Sequence, residues 1–334
     1  MIGVVDMISF GSVFLELVFG HVPALPVPGQ EIFTDDFAIS CGGAVSSATA
    51  ARRAGVSAGL CTLLGDDLGS RVVIEHCERE GIDLSPAGRV ARRVTGITTV
   101  FNFDGDRSFV THVPPRPAGE PPASDRWIDV LHRFRPAWCY LHAAPGRQGF
   151  LTEARKLGCK TLVDISLVGI GTAAEAAEVI ECVGLADVFV PNQAELTLLT
   201  GAASAEAAIG VAAGWGTPVV MKSGAEGAVI ASPDGIWPVT EGVAQIEVAD
   251  LTGAGDAFAG AMIGALVQGE PLAKAVVAAN AAGSAAAGRL GAVGPVEVAG
   301  LSTVLEPARP ARRAPTRPPG HPGQREGQPR EAQR

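Results

Sequence analysis

The sequence predicts a three-layer α/β/α sandwich with a mostly parallel central sheet and a small second sheet outside the main layer. Three observations lead there. From residue 125 onward, apolar strand-length and helix-length segments alternate, which calls for right-handed crossovers and a parallel sheet covered on both faces. The 334 residues are 47% hydrophobic, enough for one large core. The glycine-punctuated loop Asp250-Leu-Thr-Gly-Ala-Gly-Asp256 runs into an apolar helix, Ala257 to Leu266, with no proline to break it.

In chain order, residues 2–19 cluster Ile, Val, Phe and Leu around Gly11 and read as a first strand running into a loop at 11–16. Pro23, Pro26, Pro28 and Gly29 mark an irregular crossing, and 31–40 has strand character. Cys41-Gly42-Gly43 opens a small-residue helix that closes at Gly55, presenting backbone N–H groups to a ligand. A buried strand follows over 56–64, and Gly65-Asp-Asp-Leu-Gly69 opens an amphipathic helix to Glu80. Residues 98–102 and 108–113 form a hairpin around Asp104-Gly105-Asp106 and, with 31–40, a small sheet. Then come helix 125–134, strand 137–142, helix 147–157, strand 160–165, helix 173–183, strand 187–190 and helix 193–200. Helix 204–213, strands 217–222 and 226–231, and further strands before the Asp250 loop complete the pattern, without internal repeats.

Composition narrows the function classes. The net charge of −9 hides a basic end: residues 307–334 hold seven Arg and two Glu, a local +5, leaving −14 on the rest. An acidic body argues against a nucleic-acid surface. The Pro-, Arg- and Gln-rich 307–334 segment cannot bury enough apolar surface to fold and reads as a disordered, solvated extension. The apolar runs 257–267 and 275–287 are too short or too rich in Gly and Ala for a membrane span, and no signal peptide is expected. Six cysteines (41, 61, 77, 139, 159 and 182) stand singly, without C-x-x-C or a His at ligand spacing. They read as reduced, buried thiols of a cytoplasmic protein.

The 250–256 loop carries the chemistry. Gly253 and Gly255 allow close backbone approach, and the free N–H groups of the following helix form a site for an anion such as phosphate. Asp256 at that helix start is either a simple N-cap or a carboxylate placed to receive a proton from a hydroxyl attacking the phosphate. Glu16, in an otherwise apolar run, is either a strand-end carboxylate facing water or an acceptor for ligand hydroxyls. Asn192 and Glu195 stand at a strand-to-helix junction, as a helix cap or as holders of metal-bound water. No Gly-Lys-[Ser/Thr] exists for a P-loop, and no G-x-G-x-x-G follows the first strand for a nicotinamide site.

Together these residues resemble the ribokinase-like (PfkB) family of carbohydrate and nucleoside kinases over about 2–300, with five elements in the family's order. The Gly42-Gly43 helix resembles the N-terminal signature, Asn192-x-x-Glu195 the magnesium–phosphate element, and Met221-Lys222-Ser-Gly224-Ala-Glu-Gly227 the edge of the nucleotide site. Asp250–Asp256 resembles the C-terminal signature, and Asn280 lies in a segment similar to the helix bordering the adenine. The resemblance implies a kinase domain over 1–306, with lid strands at about 31–40 and 98–113, using ATP and Mg²⁺. It implies Asp256 as base, Gly253, Ala254 and Gly255 as anion hole, and Asn192, Glu195, Lys222, Gly224, Gly227, Thr252 and Asn280 at the nucleotide. Glu195 would reach Mg²⁺ through water, and Asp250 would serve a monovalent cation such as K⁺. Glu16, Gly42, Gly43 and Ser47 would bind the acceptor, and the lid would cover it and offer a homodimer surface.

Three departures bear on the substrate. Many sugar-binding members have Asn at Ser47 and Asp at Glu16, and Phe14 occupies a position that is polar in ribose-specific members. These point away from ribose, toward a larger sugar, a sugar acid or a nucleoside. Arg107 in the hairpin is either a substrate contact or a solvated arginine. The expected activity is ATP-dependent phosphorylation of a hydroxyl on a sugar or sugar derivative. The alternatives are a nucleoside kinase on the same fold and a catalytically silent ligand-binding homologue. No membrane or nucleic-acid partner is expected.

Overall fold

The computed structural model describes residues 5–103, 106–118, 123–166 and 170–296. The predicted tail, 307–334, and the hairpin tip at 104–105 lie outside the described residues. In chain order the elements begin β1 (Met7–Phe10), β2 (Val13–Gly20), β3 (Asp36–Gly43), α1 (Ala44–Arg53), β4 (Ala58–Cys61), β5 (Leu63–Leu64), α2 (Leu68–Glu80) and β6 (Gly88–Arg89). Next are β7 (Gly96–Asn102), β8 (Arg107–His112), α3 (Ala123–Phe134), β9 (Trp138–Ala143), α4 (Gln148–Lys156), β10 (Lys160–Ile165), α5 (Ala173–Leu185) and β11 (Val188–Phe189). The chain continues with α6 (Gln193–Thr200), α7 (Ala205–Ala212), β12 (Val219–Lys222), β13 (Ala228–Ser232), β14 (Gly235–Val239), α8 (Ala254–Val267) and α9 (Leu272–Ala287).

The main sheet runs β14-β13-β12-β11-β10-β9-β1-β4, parallel from β4 to β12 and antiparallel through β13 and β14. Strand alternation splits its side chains between two helical layers. Phe10, Cys139, Leu141, Val163 and Met221 point into an apolar cluster with residues of α3, α4, α5, α6 and α7. The other face, which carries Ser9, Tyr140, Asp164 and Lys222, is covered by α1, α8 and α9. Among the described residues no single helix is long and apolar enough to cross a membrane.

The second sheet runs β3-β2-β7-β8. Its register sets a row Ser40, Glu16, Thr98, Thr111 on one face and a row Ile39, Leu17, Thr99, Val110 on the other. The sequence reading needs correction here. Residues 2–19 are not one strand with a loop at 11–16: a break at Gly11-Ser12 hands the chain from the main sheet to the second, and 13–20 is its central strand. A continuous apolar run hides such a handover, because both strands are buried. The strand expected over 31–40 starts at Asp36 and runs through the glycine pair to Gly43, whose partner is Val13. The strand expected over 56–64 divides at Thr62, sending β5 to pair with β6. After β14 no further strand precedes Asp250, and the Asn280 amide donates to the carbonyls of Val239 and Glu241 where the strand ends. The helices from α3 to α7 fall within a few residues of expectation.

Helices α1 and α8 cross at glycines. A Cβ on Gly260 would run into the Ser47 carbonyl oxygen and lie 2.6 Å from Ala50 Cβ, and one on Gly264 would lie 2.6 Å from Ala54 Cβ. This close approach sets how deeply the start of α8 sits over the sheet. Alanine at 260 gains up to ~1 kcal/mol of helix propensity, but overpacking typically costs about 1–3 kcal/mol. Gly260→Ala is therefore expected to lower the denaturant midpoint; an unchanged or raised midpoint would contradict the close crossing.

Candidate active site

The chain leaves β1 toward β4 on one side, while β9 occupies the other. The strand order thus reverses there, and ligands in open α/β sheets bind outside the carboxyl ends of strands at such a point. Tyr140 and His142 close β9, Asp164 closes β10, Asn192 follows β11 and Lys222 ends β12. The start of α8 lies over these ends.

Gly253 is the residue before α8, with φ 75°, and a Cβ there would lie 2.5 Å from Ala292 Cα. Only glycine meets both conditions. The N–H groups of Gly255 and Asp256 find no acceptor among the described residues, while that of Ala254 meets the Leu251 carbonyl at 3.3 Å. Thr252 is buried and its Oγ1 has no partner among the described residues. Asp250, also buried, accepts from the Thr252 N–H and the Gly291 N–H, both at 2.8 Å, tying this loop to the turn after α9. Asp250 makes no ion pair with a described basic side chain.

Asp256 accepts a 2.9 Å hydrogen bond from Tyr140 Oη at its Oδ1, and His142 Nε2 is 4.0 Å from the same oxygen. Burial raises its carboxyl; His142 opposes the rise, Asp164 adds to it, and the Tyr140 bond and Lys222 oppose it. Lys222 binds both oxygens of Asp164, at 2.9 and 2.7 Å, and its Nζ lies 3.3 Å from where a Cβ of Gly255 would stand.

Glu16 reaches the site from β2. Its Oε2 accepts from the Ala292 N–H at 3.2 Å, and its Oε1 occupies the space a Cβ on Gly42 would need. It does not face water as a strand-end carboxylate would; it is 6% exposed. Burial pushes its carboxyl up to about 7, the Ala292 N–H opposes this, and Asp256 and Asp250 add to it. Gly43 has φ 77° and stands against Ser12 and the Phe14 ring, and the Ala44 N–H is already taken by the Ser12 carbonyl. Phe14 shares the inner face with Glu16, two residues along the strand.

Other expected residues divide. Ser47 is fully buried, and its hydroxyl meets Ser9 Oγ at 2.9 Å and the Ala44 carbonyl at 3.2 Å. A hydroxyl this short stays in the seam between β1 and α1. Asn192 and Glu195 form a reciprocal capping box, with Asn192 N–H to Glu195 Oε2 at 2.7 Å and Glu195 N–H to Asn192 Oδ1 at 2.9 Å. Burial and the Asp164 charge raise the Glu195 carboxyl. Gly227, with φ 86°, packs against Val239, Thr240 and Asn280, so the turn beginning at Gly224 meets α9. Tyr140, His142 and Asp164 were not found by pattern, although two signals were there: the only tyrosine of the chain, and an aspartate inside an apolar strand.

Free amides at a helix start beside a half-buried carboxylate, with an ammonium close by, can hold an anionic group and take a proton next to it. That is the layout of a group-transfer enzyme acting on phosphates. The profile of the pfkB family of carbohydrate kinases matches residues 34–299, and the chain belongs to that family. It is 23% identical to a cytidine kinase of Thermococcus kodakarensis over 278 residues, 81% of this chain and 92% of the relative. It is 26% identical to a ribokinase of Mus musculus over 265 residues, 77% and 80% of the two chains. Its fold matches that of a Vibrio cholerae fructokinase, solved with fructose, ADP and calcium, at TM-score 0.70 and 23% identity, covering 87% and 95% of the two chains.

The Glu16 environment gives a stability prediction. Its carboxyl holds a proton more tightly in the folded chain than at its ordinary value of 4.5. The folded state therefore binds more protons between pH 4.5 and about 7, and this group's contribution falls as pH rises through that window. The change amounts to about 3 kcal/mol. In Glu16→Gln that part of the slope should vanish, making the variant more stable than the wild type at pH above 7. Urea unfolding of both across the window measures it; parallel curves would contradict the burial of Glu16.

Proposed function

We propose that this kinase transfers the γ-phosphoryl group of ATP to a hydroxyl of a sugar or sugar derivative, with Asp256 as base and the Gly253-Ala254-Gly255 turn as anion hole. The observation that carries the reading is the half-buried Asp256 carboxylate at the same helix start where the Gly255 and Asp256 amides have no acceptor among the described residues. Phosphoryl transfer asks mainly for positioning and charge stabilisation. The free amides and the Thr252 hydroxyl receive phosphate oxygens, Lys222 adds positive charge beside them, and Asp256 orients the acceptor hydroxyl and takes its proton. The segment at Gly224, Gly227 and Asn280 takes the nucleoside end of ATP. The residues fit Mg²⁺: Glu195 has its Oε2 in the cap, leaving Oε1 to hold a metal-bound water, and the metal would neutralise phosphate charge. Asp250, buried without a cationic partner among the described residues, fits a monovalent ion such as K⁺, which a double mutant of the fructokinase binds.

The lid's inner face, with Glu16, Thr98 and Phe14, supports an acceptor with several hydroxyls and an apolar face. Glu16, Gly42 and Gly43 would bind it. The Phe14 ring also suits a base, so a nucleoside acceptor is the second reading, in line with the cytidine kinase relative. Six buried thiols suit a cytoplasmic enzyme, and the kinase domain would end near 306, before the basic tail.

An ADP-release assay with Mg-ATP against pentoses, hexoses, sugar acids and nucleosides tests the function. Release with one class, lowered roughly 10²–10⁴-fold in Asp256→Asn with ATP binding retained, is expected. Near-full activity in that variant would overturn the base, and silence across the panel would favour a ligand-binding homologue.

The outer face of the lid exposes Phe37, Ile97 and Val110. A second copy of the chain packing there is the proposed homodimer. Val110→Asp should shift the sedimentation coefficient from dimer to monomer with little change in melting temperature; a wild type that sediments as a monomer would refute it.

A further inference from the structure

The Asp256 side chain is 20% exposed, and an acceptor seated against it would cover that edge, so the proton it takes needs a path that runs through the protein. Tyr140 is 1% exposed, yet its hydroxyl touches three polar groups: Asp256 Oδ1 at 2.9 Å, His142 Nε2 at 3.1 Å and Asp164 Oδ2 at 3.4 Å. The His142 side chain is 45% exposed. Asp164 is buried, with both oxygens bound to Lys222 and no path of its own to solvent. The other groups facing Asp256 offer no alternative, since Glu16 from β2 is buried and hydrogen-bonded to Ala292, and Lys222 from β12 is paired.

Resting on the reading of Asp256 as base, we propose that Tyr140 and His142 form a proton relay that carries the acceptor's proton from Asp256 to solvent. The acceptor O–H bond breaks as its oxygen bonds phosphorus, and the proton passes to the Asp256 carboxylate. It then moves from Oδ1 to Tyr140 Oη while the tyrosine's own proton passes to His142 Nε2. The imidazolium so formed releases a proton to water, and both side chains return to their starting state. Tyr140 thus has two roles, positioning the carboxylate and conducting its proton.

The test compares kcat and acceptor KM of wild type, His142→Ala, Tyr140→Phe and Asp256→Asn, across pH and across imidazole concentration. His142→Ala is expected to lose roughly tenfold or more in kcat at low buffer, with KM unchanged, and to recover with added imidazole. Tyr140→Phe, nearly isosteric, should lose as much without recovery. Wild-type kcat in both variants, or a His142→Ala loss that imidazole leaves untouched, would overturn the relay while an inactive Asp256→Asn upheld the base. An active Asp256→Asn would instead remove the base reading itself, and the relay with it.

Discussion

Everything in the site hangs on how the loop before α8 is held. Asp250 spends its two oxygens on the amides of Thr252 and Gly291, and Gly253 turns left-handed directly against Ala292. The loop from 250 to 253 and the turn after α9 are therefore one unit, and Glu16 fastens the second sheet to it through the Ala292 N–H. A side chain at 253 would clash with that turn, and one at 42 would displace Glu16. The helix start can present free amides because its neighbours are committed to each other. Backbone donors fixed in this way need no rearrangement to meet charge developing before them, which is what the proposed phosphoryl transfer asks of them.

The second feature is an excess of carboxylates. Glu16, Asp164, Glu195, Asp250 and Asp256 converge on the carboxyl ends of the sheet, with Lys222 the lysine among them. Burial and mutual repulsion raise Glu16, Glu195 and Asp256. Such a cluster is costly for the folded chain alone and is relieved by cations, which is in keeping with the proposal that the donor binds as a metal complex.

Much of this was legible in the sequence. Asp256, Gly253 and Gly255 could be read because a glycine loop entering an apolar helix has few structural solutions. The alternating second half was readable because parallel strands buried on both faces give clear apolar runs. The first twenty residues were harder, because two strands of different sheets abut with only Gly11 and Ser12 between them. Ser47, placed at the acceptor by the resemblance, is buried with its hydroxyl on Ser9 and the Ala44 carbonyl, contacts that a sequence motif does not show. Tyr140, His142 and Asp164 come from strands with no motif, and only the sheet order brings them together.

The most direct test of the central claim is a crystal structure with a non-hydrolysable ATP analogue, Mg²⁺ and the acceptor found in the substrate panel. The account predicts the γ-phosphate against the Gly255 and Asp256 amides, and the acceptor hydroxyl within about 3 Å of the Asp256 carboxylate. A γ-phosphate bound away from the start of α8, or an acceptor hydroxyl out of reach of Asp256, would contradict it.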